Sequence, residues 1–355
     1  RMRCRDSSMK KRGQIDIQFN WIFVLIAGAI ILAFFFSVIN KQRTYSDIKT
    51  SQTIVTNLES IFTGASISTD TVNVIDLPQA KVEFECNQYK IGSVPRDTKG
   101  NIVFAPGFVE GKQMLTWALD WNVPFRVTNF LYVTDPQIRY VIVNNSKNLG
   151  ETMREELPED MQVEIVHYDQ LADLEDRNNY KVKYIFLGAQ DHTALDGFQG
   201  MEDEEVTGVS LPGLVNEGGI VSTGPITFWE KDGTAFRDDG STFYLNQEAL
   251  IGAIFSGDIE MYNCEMKKAF RKLDLMTSIY INRSVQLQHF FGTGNPCTAR
   301  YATLRLNDLM IEAKEQSRRF PLDGVDPLDE LRDLGVRIRD EQNQQLQLLS
   351  CPLIY

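Results

Sequence analysis

Three stretches of this 355-residue chain end a strand-forming run on side chains that could do chemistry. They are Asn144-Asn145-Ser146, His167-Tyr168-Asp169 and Gly188-Ala189-Gln190-Asp191-His192. In the last, His192 has the type of a general base and Asp191 that of its orienting carboxylate. The plainer reading is a solvated polar loop. No G-x-G-x-x-G or G-x-x-x-x-G-K-S/T follows a strand, and no G-x-S-x-G elbow exists. Gly292-Thr293-Gly294 reads as a turn. Cys264 with His289 downstream has the types of a nucleophile and base, but Cys264 reads better as a half-cystine. The acidic run at 202–205 (EDEE) could face calcium, yet it lacks EF-hand spacing and reads as a solvated loop. Trp117, Trp121 and Phe125 stand at near-helical spacing and read as core rather than a sugar platform. With no triad, metal cluster or phosphate loop, the expectation is a non-enzymatic protein without a cofactor.

Five cysteines divide one and four. Cys4 precedes a long apolar run, while Cys86, Cys264, Cys297 and Cys351 follow it, an even number that suggests two disulfides. Of three possible pairings, Cys264 with Cys297 and Cys86 with Cys351 is favoured, because the second would tie the C-terminal segment to an early strand. Zinc is disfavoured, since no Cys-x-x-Cys occurs and His167, His192 and His289 are dispersed. Two N-x-S triplets make Asn144 and Asn282 candidate glycosylation sites.

The elements that would position these residues follow from periodicity. Runs at 72–75, 81–86 and 102–104 are β-prone and separated by Gly, Pro and Asn. RYVIV (139–143), QVEIVH (162–167) and KYIFL (183–187) read as buried strands, alternating with helices at 147–157 and 168–177. This β-α-β-α-β order predicts an α/β fold with a mixed or partly parallel sheet. Residues 188–219 read as a long loop, 219–229 and 241–245 as strands, 246–255 and 261–273 as helices, and 276–291 as further strands. Helices at 298–318 and from Asp326-Pro327 to about Leu349 close the chain.

From Phe19 to Ile39 the chain runs 21 residues without a charge, its polar side chains confined to Asn20 and Ser37. At about 1.5 Å per residue this covers roughly 30 Å, the thickness of a hydrocarbon core. No small-residue cleavage site ends the run, so it reads as an uncleaved span in contact with membrane lipid. Lys10, Lys11 and Arg12 before it place the N-terminus in the cytoplasm and the rest outside. From Asn40 to Phe62 there is no Pro or Gly, and Ile48, Val55, Leu58, Ile61 and Phe62 keep a helical spacing. A stalk helix ending at Gly64 is expected.

Lys11-Arg12-Gly13-Gln14-Ile15-Asp16-Ile17-Gln18-Phe19, followed at once by the apolar run, resembles an archaeal class III signal peptide. That is the leader of type IV pilin-like and archaellin-like proteins, and the likeness covers about 30 residues. It implies that a prepilin peptidase cuts between Gly13 and Gln14, that the apolar helix stays on the mature chain, and that the chain joins a pilus-like assembly. Met9 would be the natural start. The chain departs from the pattern at Gln18, where pilins commonly carry Glu as fifth mature residue.

Composition bounds the rest. At 43% hydrophobic residues the chain can bury a substantial core. Its net charge of -12 disfavours nucleic acid as a partner. The expected organisation is a basic leader (1–13), a transmembrane and stalk helix (14–63), a β-rich segment (64–128) and an α/β ectodomain (129–355). The last two segments could form a single domain. The expected role is structural or adhesive at the cell surface, with homo-oligomerisation. The alternative is a tethered enzyme or ligand-binding protein using the strand ends.

Overall fold

A computed structural model describes residues 13–65, 68–77, 81–92, 94–144, 147–173, 180–188, 201–212, 215–216, 219–220, 222–322 and 324–355. The chain forms two compact units, 1–53 and 54–355. The first is the greater part of helix α1 (Gly13–Ala65), and its described side chains from Trp21 to Ile39 are largely exposed. Among the described residues no helix is long and apolar enough to cross a membrane. The side chains of Gly13, Gln14 and Ile48 lie outside the described residues.

In the second unit the end of α1 buries Val55, Leu58 and Phe62, spaced three and four apart on one helical face. They share a core with Val82, Tyr89, Ile91, Val103 and Leu131. The strands then follow in chain order. β1 (Thr71–Asp76), β2 (Val82–Glu85), β3 (Gln88–Ile91), β4 (Val94–Asp97), β5 (Ile102–Phe104), β6 (Phe108–Val109), β7 (Gln113–Asn122) and β8 (Arg126–Thr134) make two four-stranded sheets. Their orders are β1-β7-β8-β5 and β4-β3-β2-β6. Strand β8 runs across residue 129, so the β-rich segment and the remainder share one unit.

A six-stranded mixed sheet follows. β9 (Arg139–Asn144), α2 (Lys147–Glu155), β10 (Gln162–His167), a 3-10 turn at Tyr168–Asp173, β11 (Val182–Leu187) and β12 (Val206–Leu211) supply four parallel strands. After β13 (Val215–Asn216) and β14 (Gly219–Ile220), β15 (Thr223–Asp232) adds antiparallel to β12 and β16 (Ala235–Leu245) antiparallel to β15, giving the order β10-β9-β11-β12-β15-β16. The fold is mixed α/β with mixed sheets. Residues 206–211, expected in a loop, are a fully buried strand.

Helix α3 (Asn246–Phe255) opens on the polar Asn246, Gln247 and Glu248, then is apolar on every side and buries every residue from Ala249 to Phe255. Asp258 caps the N-terminus of α4 (Ile259–Phe291), its carboxylate accepting from the Met261 N–H at 2.7 Å. Gly292 ends α4 with φ at 67°. So 276–291 is helix rather than strand. α5 (Leu304–Arg319) packs along α4, and α6 (Asp326–Arg337), a π-helical turn at Ile338–Asn343 and α7 (Gln344–Leu348) complete the chain.

The disulfides pair Cys86 with Cys264 and Cys297 with Cys351. The favoured pairing of Cys264 with Cys297 and of Cys86 with Cys351 is therefore corrected, and α4 supplies the reason. From Cys264 to Phe291 the uninterrupted helix extends about 40 Å at 1.5 Å per residue. Six further residues, spanning at most about 21 Å, cannot bring Cys297 back to Cys264.

Candidate functional site

The carboxyl ends of β9, β10 and β11 lie where strand order reverses, the usual ligand position in an open α/β sheet. Asp191 and His192, and also Asn145 and Ser146, lie outside the described residues. His167 holds its imidazole 3.3 Å from the Asp169 carboxylate in the open. Asn144 is only 2% exposed, and a Cβ on Gly150 would come 2.0 Å from its amide nitrogen. A glycan at Asn144 would require this packing to open. Asn282 is exposed on α4, whereas Ser284 of its triplet is fully buried.

Other sequence candidates resolve on geometry. Cys264 is disulfide-bonded and stands 25 residues from His289 on one helix, about 37 Å. No thiol–imidazole pair is possible there. In the acidic run, Glu205 accepts from the Glu202 N–H at 2.8 Å, and Asp203 pairs with Lys231 at 2.9 Å. Among the described residues no group of His, Cys, Asp and Glu could hold a metal ion. Trp117 and Trp121 are core residues, as read, but they sit in strand β7 rather than on a helix.

A cleft of about 620 Å³ opens at the opposite, amino ends of β11 and β12. It arises because β2 and β6 meet the turn after α3 on one side, while β15 and β16 close the other. The Lys181 amine lies 4.1 Å from the centre of the Phe108 ring, and that of Lys81 lies 4.2 Å from it, so one aromatic ring carries two cations. Two residues along the strand, and so on the same face, Lys183 donates to the Ser256 carbonyl at 2.7 Å. Its amine also stands 5.3 Å above Phe228. Asp203, Glu204 and Asp258 line the cleft with Lys81 and Lys181, while Lys183 is buried behind its wall.

Burial dominates the electrostatics. It pushes the Lys183 amine down to about 7, helped by the neighbouring Lys181 charge. It pushes Lys181 down to about 8, against the opposing pull of Glu204. Beside the cleft the Tyr180 hydroxyl donates to Asp135 at 3.0 Å and accepts from the Glu110 N–H at 3.3 Å. Burial raises Asp135 above the usual carboxylate range. An amine partly neutral near pH 7 is a nucleophile toward carbonyl carbon, and when protonated it anchors an anion. The sequence signal was present in Tyr180-Lys181-Val182-Lys183, two lysines two apart on an otherwise buried strand. Only Lys183 entered the sequence reading, as the first residue of the strand run KYIFL.

The lysines set a pH dependence of stability. Below about pH 7 both folded and unfolded chains hold the Lys183 proton. From there to 10.5 the unfolded chain holds a proton that the folded chain has released, so stability rises with pH. The largest slope is about 1.4 kcal/mol per pH unit for one proton. Glu265, fully buried on α4, acts in the other direction. Burial raises it to about 7 despite its contact with Lys268, so it protonates first in the folded state. Its stabilising effect is complete below about 4.5 and lost as pH rises to 7. Chemical denaturation from pH 5 to 10 should therefore give Lys183→Met a flatter alkaline limb and Glu265→Gln a flatter acid limb. Unchanged limbs in the variants would contradict this placement of the charges.

Comparison with family models, curated proteins and solved structures finds no match.

Proposed function

We propose that the chain is a membrane-anchored cell-surface protein with a pilin-like N-terminus, its disulfide-bonded domain held outside the cytoplasm. Its role on this reading is structural or adhesive, alone or as a minor component of a pilus-like assembly. The observation that carries the reading is the uncovered apolar surface of α1. Large side chains including Trp21, Phe23, Leu25, Leu32, Phe34 and Phe36 are 64–71% exposed. Such a surface in water is strongly unfavourable, whereas lipid or the helices of neighbouring subunits would cover it. The described part of the run, 23–39, does not suffice to cross a membrane, so the span rests on the 21-residue sequence from Phe19 to Ile39. Two disulfides suit an oxidising compartment.

The test is the N-terminal residue of the chain extracted from its native membranes, read by mass spectrometry. A chain starting at Gln14 is expected from prepilin-type processing. One that retains Met9 or an earlier residue would sink the pilin comparison, and recovery only in the soluble fraction would sink the anchor. The cleft favours a second reading, a tethered enzyme or ligand-binding protein, because Lys181 and Lys183 place low-pKa amines at and behind its wall. The alkaline limb described above is the first check on that reading.

A further inference from the structure

Although the chain carries a net charge of -12, one groove on its domain is strongly basic. The surface between α4 and α5, beside the Cys86–Cys264 disulfide, encloses about 560 Å³. Lys267, Lys268 and Arg271 line it from α4, and Lys314 and Arg318 from α5, against a single carboxylate, Asp274. Lys267 and Arg271 are four apart on one helix, and Lys314 and Arg318 are four apart on the other. Like charges at that spacing destabilise a helix, and here two such pairs face each other across one groove.

Compensation by the protein's own acids is slight. Lys268 is engaged with Glu265 at 2.7 Å and with the Cys86 carbonyl at 2.6 Å. For Lys267, Arg271, Lys314 and Arg318 the described residues provide no ion pair or side-chain hydrogen bond. Behind the groove burial lowers the Lys272 amine, and the Lys268 charge adds to the effect, consistent with a positive local field. A screening length of about 8 Å at physiological salt keeps the acidic remainder from cancelling that field. A locally unfavourable charge pattern left uncompensated marks a functional surface.

We infer that this groove binds a linear polyanion, and specifically an acidic glycan bearing sulfate or carboxylate groups along its length. Four residues of helix rise about 6 Å, so each helix presents two cations at that interval to a chain lying along the groove. None of the lining residues is aromatic, so bases would find no stacking platform and a neutral sugar no ring to pack on. Charge carries the recognition. The choice of a glycan rests on the extracytoplasmic location proposed above, whereas the anion site itself does not.

The full-length chain in detergent would be passed over immobilised heparin, with neutral dextran as the control matrix. Retention on heparin alone, eluted by salt, is expected. Lys267→Gln/Arg271→Gln/Lys314→Gln/Arg318→Gln should lose at least tenfold in affinity with its melting curve unchanged. Lys267→Arg/Lys314→Arg should keep the affinity, and a control pair outside the groove, Arg96→Gln/Lys112→Gln, should match the parent. Lys10, Lys11 and Arg12 stay constant throughout, so a leader contribution cancels. Equal retention of the parent and the quadruple variant would overturn the groove. Equal or tighter binding of single-stranded DNA by the same four residues would overturn the glycan. A change of oligomeric state in the quadruple variant without heparin binding would assign the groove to contact between copies and overturn it likewise. Failure of membrane anchoring would leave the heparin result standing, so the two readings fail separately.

Discussion

Replacing Cys86 and Cys264 together by alanine is expected to lower the unfolding free energy by about 3–5 kcal/mol. The bond joins residues 178 apart, the turn after β2 to the second turn of α4, and so restricts the unfolded chain over half its length. It also anchors a polar knot, since Lys268 one turn along α4 donates to the Cys86 carbonyl at 2.6 Å and to the Asn101 carbonyl at 3.2 Å. Cys297 and Cys351 are only 54 apart. Loop-closure entropy makes their removal less costly by about 1 kcal/mol. Denaturant titration of unreduced protein checks both, and the 86–264 variant should also show a larger denaturant slope, because its unfolded chain is less compact. Equal losses for the two pairs would show that native strain or residual structure, not loop length, governs them.

Phe104→Ala is expected to cost about 3–5 kcal/mol, the range for removing a fully buried phenyl ring. Phe104 comes from β5, and its ring lies 5.2 Å from Phe130, 5.9 Å from Tyr132 and 5.8 Å from Tyr262. It thereby joins the first sheet to α4. On its remaining side sits Gly252 of α3, where an added Cβ would meet the ring at 2.9 Å. Gly252→Ala alone should therefore destabilise the domain by about 1–3 kcal/mol through overpacking. Once the ring is gone, the same methyl group enters the vacated space. The double variant should then be more stable than the sum of the two losses predicts, by about 1 kcal/mol or more. Strict additivity in that cycle would mean that α3 and β5 do not share this contact.

How much was legible in the sequence depended on whether a residue's partners were near it in the chain. RYVIV, QVEIVH and KYIFL are β-branched, apolar and bounded by polar breaks, and each is a strand of the mixed sheet. The apolar block at 246–255 forms α3 with those bounds. Failures came where the usual pattern was masked. In the second half of α4 the buried positions include Thr277 and Ser284, seven apart, so the hidden face is small and polar and shows no apolar stripe. Exposed Leu275 and Ile279 added a false β-like signal. Trp117 and Trp121 are four apart, an even number that places them on one face of a strand as readily as one side of a helix. Strand β12 hid behind Gly208 and an acidic neighbour. A Cβ at this glycine would stand 3.2 Å from Phe186 and 3.3 Å from Trp229, a tight fit against both side chains.

By itself the sequence determined the helical N-terminal third of α1, the α/β class, the parallel strands and the number of half-cystines available to the domain. These depend on residues close together in the chain, whose periodicity and composition carry the information. The tertiary structure alone decided which cysteines meet, that Asn144 is buried, and that Lys81 and Lys181 share a cleft with Phe108. It likewise brought the cations of α4 and α5, some fifty residues apart, to one groove. Each of these outcomes depends on distances between segments remote in sequence, and on the desolvation that follows when those segments close over a charged group.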